Sequence, residues 1–134
     1  MTLVVVPVRY PLTEHSKATL KTAISTADQH DADLTVLHVN LYQNSYRVTR
    51  ADLRDAVESE YGRLSRTRYA VTSGLLVEET ILEEIVGLEA DVVVIGKKQA
   101  GRWRSMIRRL TDDTDIERFL REELECEIVT AQRG

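Results

Sequence analysis

The sequence predicts an α/β fold: one domain over residues 1–134, built on a single doubly wound, five-stranded parallel sheet with helices on both faces. Three observations carry this. Leu3 to Val8 and Asp91-Val-Val-Val-Ile-Gly96 are apolar, β-branched runs with no polar alternation, the pattern of strands buried on both faces. Amphipathic helical stripes separate successive strand-like runs, and each parallel pair needs such a crossover. The fourth run ends on Gly96 and opens into a basic stretch, at the strand end where sheets of this kind bind ligands.

The elements follow in order. Leu3 to Val8 is the first strand, with Pro7 near its end, where a ladder hydrogen bond can be spared. Thr13 caps a helix that buries Leu20, Ala23, Ile24 and Ala27. Leu34 to Val39 is the second strand, and the polar segment from Asn40 to Val48 is a loop. Thr49-Arg-Ala-Asp52 opens a second helix, carrying Leu53, Ala56, Val57 and Leu64 inward. Arg68 to Thr72 is the third strand, closed by Ser73-Gly74. A third helix from about Val77 to Leu88 presents Ile81, Leu82, Ile85 and Val86. After the fourth strand, Gly96 to Gly101 reads as a glycine-spaced loop. A short amphipathic helix follows on Trp103, Met106, Ile107 and Leu110, then a final helix on Ile116, Phe119, Leu120 and Leu124. Glu127 to Ala131 is the last strand.

Composition narrows the function classes. The chain has 134 residues, 43% of them hydrophobic, which suffices for one core. Its formal net charge of -4 gives no general attraction to nucleic acid or membranes. No apolar run approaches the roughly 20 residues of a membrane span, and Leu3 to Val8 is too short for a signal-peptide core. Cys126 is the single cysteine, so no intrachain disulfide forms and a reducing cytoplasm is the expected location.

Right-handed crossovers leave few strand orders. In the order 3-2-1-4-5 the winding reverses between strands 1 and 4, and the crevice opens beside Arg9 to Thr13 and Gly96 to Gly101. Helix N-termini there favour an anion, and Lys97, Lys98, Arg102 and Arg104 add positive charge. Neither a dinucleotide-type nor a P-loop glycine motif is present, because Arg102-Trp103 follows Gly101.

Val4-Val-Val-Pro-Val8 followed by Glu14-His-Ser16 resembles the opening of the universal stress protein family. Leu37-His-Val39, Ala90-Asp-Val-Val-Val-Ile-Gly96 and Cys126-Glu-Ile-Val129 are similar to that family's second, fourth and closing strands, in matching order and spacing. The resemblance implies a Rossmann-like sheet and a homodimer joined through the strand at 127–131. In the family's ATP-binding branch, spaced glycines follow strand 4 and an acidic residue follows strand 1. Here Gln99 and Arg109-Leu110 stand at glycine positions, and Arg9 stands at the acidic one. Anchoring on Cys126 places Thr114-Asp115 at the phosphate-binding pair. The candidate ligand-binding set is therefore Pro7, Val8, Arg9, Val39, Gly96, Lys97, Gly101 and Thr114. If ATP binds, Val39, at the end of the second strand, is the expected backbone contact for its adenine edge.

Other chemistry is weaker. His15, His30 and His38 have no metal spacing, and His15 and Ser16 are adjacent on a helix and cannot face each other. Glu78-Glu79 and Glu83-Glu84 read as solvating charge on an outer helix face, and Cys126 reads as packing. Nothing assembles an acid, a base and an oxyanion site. The basic run from Lys97 to Arg109 admits a charge-driven interaction surface, but nucleic acid is not the expected partner. The sequence thus points to a regulatory or ligand-sensing protein for a small anionic or nucleotide ligand, without the usual ATP mode and without metal or catalytic residues. An ATP-binding form of the same fold is the alternative.

Overall fold

The computed structural model describes residues 2–111 and 126–131. Strands β1 (Leu3–Pro7), β2 (Asp33–Leu41), β3 (Thr67–Gly74), β4 (Val92–Ile95) and β5 (Glu127–Thr130) form one sheet in the order β3-β2-β1-β4-β5. Every pairing is parallel. Helices α1 (Glu14–Gln29), α2 (Arg50–Tyr61), α3 (Val77–Leu88) and α4 (Lys97–Thr111) connect them.

The continuous apolar runs have a direct structural cause. Val4, Val6, Val92 and Val94 pack with Leu20, Ala23, Leu53 and Val57 of α1 and α2. Val5, Val93 and Ile95 turn the other way, to Ile81 and Ile85 of α3 and Trp103 of α4. Successive strand side chains alternate faces, and both faces are covered, so every position must be apolar.

Local signals fix the helix starts. Thr13 Oγ1 accepts the Ser16 amide at 3.1 Å, and Thr49 and Asp52 exchange side-chain bonds in a capping box. The expected stripe holds for α1 and, in α2, for Leu53, Ala56 and Val57; the helix ends at Tyr61, so Leu64 packs on the core from beyond it. In α3, Ile81 and Ile85 are buried, but Val86 is 54% exposed. One helical step rotates it about 100° away from the line set by that pair.

Two strands run past their expected ends. β2 continues to Leu41 and β3 to Gly74, paired residue for residue from Leu34↔Thr67 to Leu41↔Gly74. The polar Asn40 is tolerated in the buried strand because its side chain both donates to and accepts from the Val48 backbone, at 2.9 and 3.0 Å. At Gly74 the next helix comes so close that a Cβ would lie 2.0 Å from Thr80 Oγ1.

The largest correction concerns the expected loop from Gly96 to Gly101, which is helix. α4 begins at Lys97, and the Gly96 carbonyl already accepts the Ala100 amide at 2.9 Å. Trp103 is fully buried, with Ala100 beside it one turn earlier. Burying an indole contributes on the order of 4 kcal/mol as an upper estimate, against about 1 kcal/mol for one glycine inside a helix. Packing wins over propensity. The final helix expected on Ile116, Phe119, Leu120 and Leu124 lies outside the described residues.

Candidate functional site

The winding reverses between β1 and β4, and a cavity of about 720 Å³ opens there, at the carboxyl ends of β1, β2 and β4. The β1 exit supplies Pro7, Val8, Arg9 and Tyr10, and the β2 end supplies His38, Val39 and Asn40. The loop before α2 brings Tyr46 and Val48. The starts of α1, α3 and α4 contribute Ser16, Glu78, Gly96, Lys98, Gln99 and Arg102.

Five of the residues expected at the site therefore meet: Pro7, Val8, Arg9, Val39 and Gly96. Lys97 is exposed and does not line the cavity. Gly101 has been carried around α4 to a shallower groove shared with Leu76, Glu79 and Ser105. Five helical residues after Gly96, it has turned by about 140° from the crevice. Thr114 lies outside the described residues.

Backbone bonds hold the mouth in shape. The Val8 amide donates to Leu37 O at 2.8 Å, and His38 Nδ1 lies 3.0 Å from Val8 O. A carbonyl only accepts, so Nδ1 carries the proton and, in the neutral ring, Nε2 is left as the acceptor. Ser16 Oγ accepts from the Arg9 amide at 3.4 Å and from Thr13 Oγ1 at 3.2 Å. The aromatic wall is layered: Tyr10 meets His38 edge-on at 6.3 Å, and Tyr46 lies nearly parallel to Tyr10 at 6.4 Å. Tyr46 is 62% exposed and forms an outer leaf against which a flat ring can lie. The neighbouring Tyr46 phenol, with burial second, raises the Tyr10 phenol above its ordinary value.

Arg9, Lys98 and Arg102 supply positive charge, and Glu78 is the one carboxylate among the described lining residues. Glu78 is not the solvated outer-face residue its sequence context suggests. Its side chain is 16% exposed and bridges α3 to α4. It accepts from Arg102 Nε at 2.9 Å, from Gln99 Nε2 at 3.2 Å and from Trp103 Nε1. Arg9 and Lys98 make no ion pair among the described residues. The available signal for Glu78 was the first turn of α4, rich in donors and cations and with no acid of its own. Tyr10 and Tyr46 were missed because each stands alone in sequence, and only the fold stacks them.

Chemically, the arrangement can seat a flat ring beside Tyr46 and an anionic group near Arg9 and Lys98. Among the described residues, no three His, Cys, Asp or Glu side chains gather as metal ligands. Cys126, just before β5, is buried in the core on the α3–α4 face, and burial pushes its thiol up to about 11, so it is a neutral packing group at physiological pH. No described helix is long and apolar enough to cross a membrane.

No protein-family model and no curated protein matches the sequence. Solved structures do match the fold over nearly its whole length. Universal stress protein UspA from Lactobacillus plantarum is 17% identical with a TM-score of 0.60, covering 98% of this chain and 97% of that one. A universal stress protein in complex with cAMP is 12% identical with a TM-score of 0.58, covering 97% of each chain. A universal stress protein from Archaeoglobus fulgidus is 15% identical with a TM-score of 0.56, covering 98% and 99%. The chain thus has the five-stranded, Rossmann-like fold of universal stress proteins.

Proposed function

We propose that this is a universal stress protein-like regulatory or ligand-sensing protein of one domain, cytoplasmic and homodimeric. Its crevice takes a small anionic or nucleotide ligand outside the family's usual ATP-binding mode. The observation that carries this reading is the start of α4. Where the resemblance would have a glycine loop wrapping a phosphate chain, Gly96 passes directly into helix at Lys97. Gln99 and Arg102 are already bonded to Glu78. A backbone locked in helical bonds has fewer free amides to give an extended polyphosphate than a loop has. The crevice itself remains, with an aromatic wall and two cations, and a fold neighbour is a complex with cAMP.

Calorimetric titration of cAMP, AMP and Mg·ATP tests this. The expected order is cAMP or AMP ahead of ATP, with ATP weaker than about 100 µM, roughly 5.5 kcal/mol. Mass spectrometry of the protein as purified from cells identifies any ligand it carries. A low-micromolar dissociation constant for Mg·ATP would instead establish the second reading, an adenine-nucleotide binder of the usual kind, which the Tyr10–Tyr46 wall and the cation Lys98 favour.

A further inference from the structure

We infer that Glu78 is the charge filter of this crevice, a built-in carboxylate that restricts it to ligands of low negative charge. The inference rests on the crevice reading above and adds the residue that decides between its ligands. Glu78 stands in the first turn of α3, yet its side chain leans across to α4 and lines the cavity. There it accepts three donors from three side chains, those of Gln99, Arg102 and Trp103. Two of these, Gln99 and Arg102, line the cavity beside Lys98 and are polar groups that α4 would otherwise turn toward a phosphate chain.

Two physical consequences follow, with the same sign. The guanidinium most suited to gripping phosphate is committed to an internal carboxylate. The Glu78 carboxylate, mostly removed from water, also offsets the attraction Arg102 would otherwise exert on a guest bearing several negative charges, and that offset is screened less than at an open surface. A singly charged guest loses that attraction once, whereas a triphosphate loses it several times. Arg9 and Lys98, at the same cavity, suffice for one charge.

The bland alternative is that Glu78 merely fastens α3 to α4. The two roles separate experimentally, because a fastener affects all ligands alike. Glu78→Gln keeps the side-chain shape and an acceptor for Trp103, but removes the charge and releases Arg102. It is expected to tighten ATP and inorganic tripolyphosphate by about tenfold, while cAMP changes by less than about threefold. Arg102→Gln alters an exposed side chain and leaves Glu78 uncompensated, so it should move the ATP-to-cAMP affinity ratio at least about threefold further against ATP. In the double variant Glu78→Gln/Arg102→Gln most of the gain should disappear. Equal changes for all ligands, no gain for tripolyphosphate in Glu78→Gln, or a ratio moving the other way in Arg102→Gln overturns the filter. Failure of wild-type protein to bind any nucleotide would sink the crevice reading alone, since tripolyphosphate still reports on Glu78.

Discussion

Cys126 shows how far burial sets the chemistry of a single side chain. It is 2% exposed, and its Sγ lies 3.5 Å from Glu127 O. Burial, then the charges of Asp91 and Glu127, push its thiol from an ordinary 9.0 up to about 11. Below pH 9 the thiol is neutral whether the chain is folded or not, so it leaves stability unchanged. Between pH 9 and about 11 the unfolded chain has lost this proton while the folded chain holds it, so stability falls as pH rises. The loss should be on the order of 2 kcal/mol across that window. Urea unfolding at pH 7.5 and pH 10.5 measures it: Cys126→Ala should be less stable at the lower pH, through its cavity, but should lose less on going to the higher one. Parallel losses in both proteins would refute the assignment. The sequence placed this residue correctly as packing, because an apolar strand follows it. It misplaced Glu78, because an acidic pair at a helix start looks solvated until a second helix is laid over it.

At the scale of elements, α4 divides what the sequence could tell from what it could not. β1 and β4 were legible because both their faces are buried, and α1 and α2 because Thr13 and Thr49 cap them with short-range chemistry. Gly96 to Arg102 was illegible because its two glycines and its charges argue locally for a loop, while the burial of Trp103 that decides the matter is a long-range contact. Gly101 makes the difference measurable. It stands inside the helix, and a Cβ added there meets nothing within 4 Å. Gly101→Ala should therefore stabilise the protein by about 0.5–1 kcal/mol, raising Tm by roughly 3 °C. A phosphate-cradling loop would respond oppositely, because its glycines are there for conformations that alanine resists. A fall in Tm would return this segment to the loop reading.

Across the whole molecule, the strand order leaves β5 at the edge of the sheet, and among the described residues no strand lies beyond it. Ile128 packs toward the α3–α4 face and Val129 toward the α1–α2 face, and both remain partly exposed at this edge of the sheet. An unpaired edge with apolar flanks favours another strand, and a two-fold related copy satisfies both edges at once. The register shows which amides would do so. Glu127 and Ala131 donate inward to Asp91 and Ile95, at 2.9 and 2.8 Å. Alternation along the strand then turns the Val129 amide inward as well, and those of Ile128 and Thr130 outward. Val129→Pro would therefore damage the pairing with β4 and could not report on assembly. Thr130→Pro is the better probe, since Thr130 is exposed and its outward amide is spared by β4. Light scattering on the eluting peak should give roughly twice the 15.2 kDa of one chain for the wild type, and close to one chain for Thr130→Pro with unchanged far-UV circular dichroism. A wild-type monomer at high micromolar concentration, or a Thr130→Pro protein that stays dimeric, places the assembly surface elsewhere or removes it.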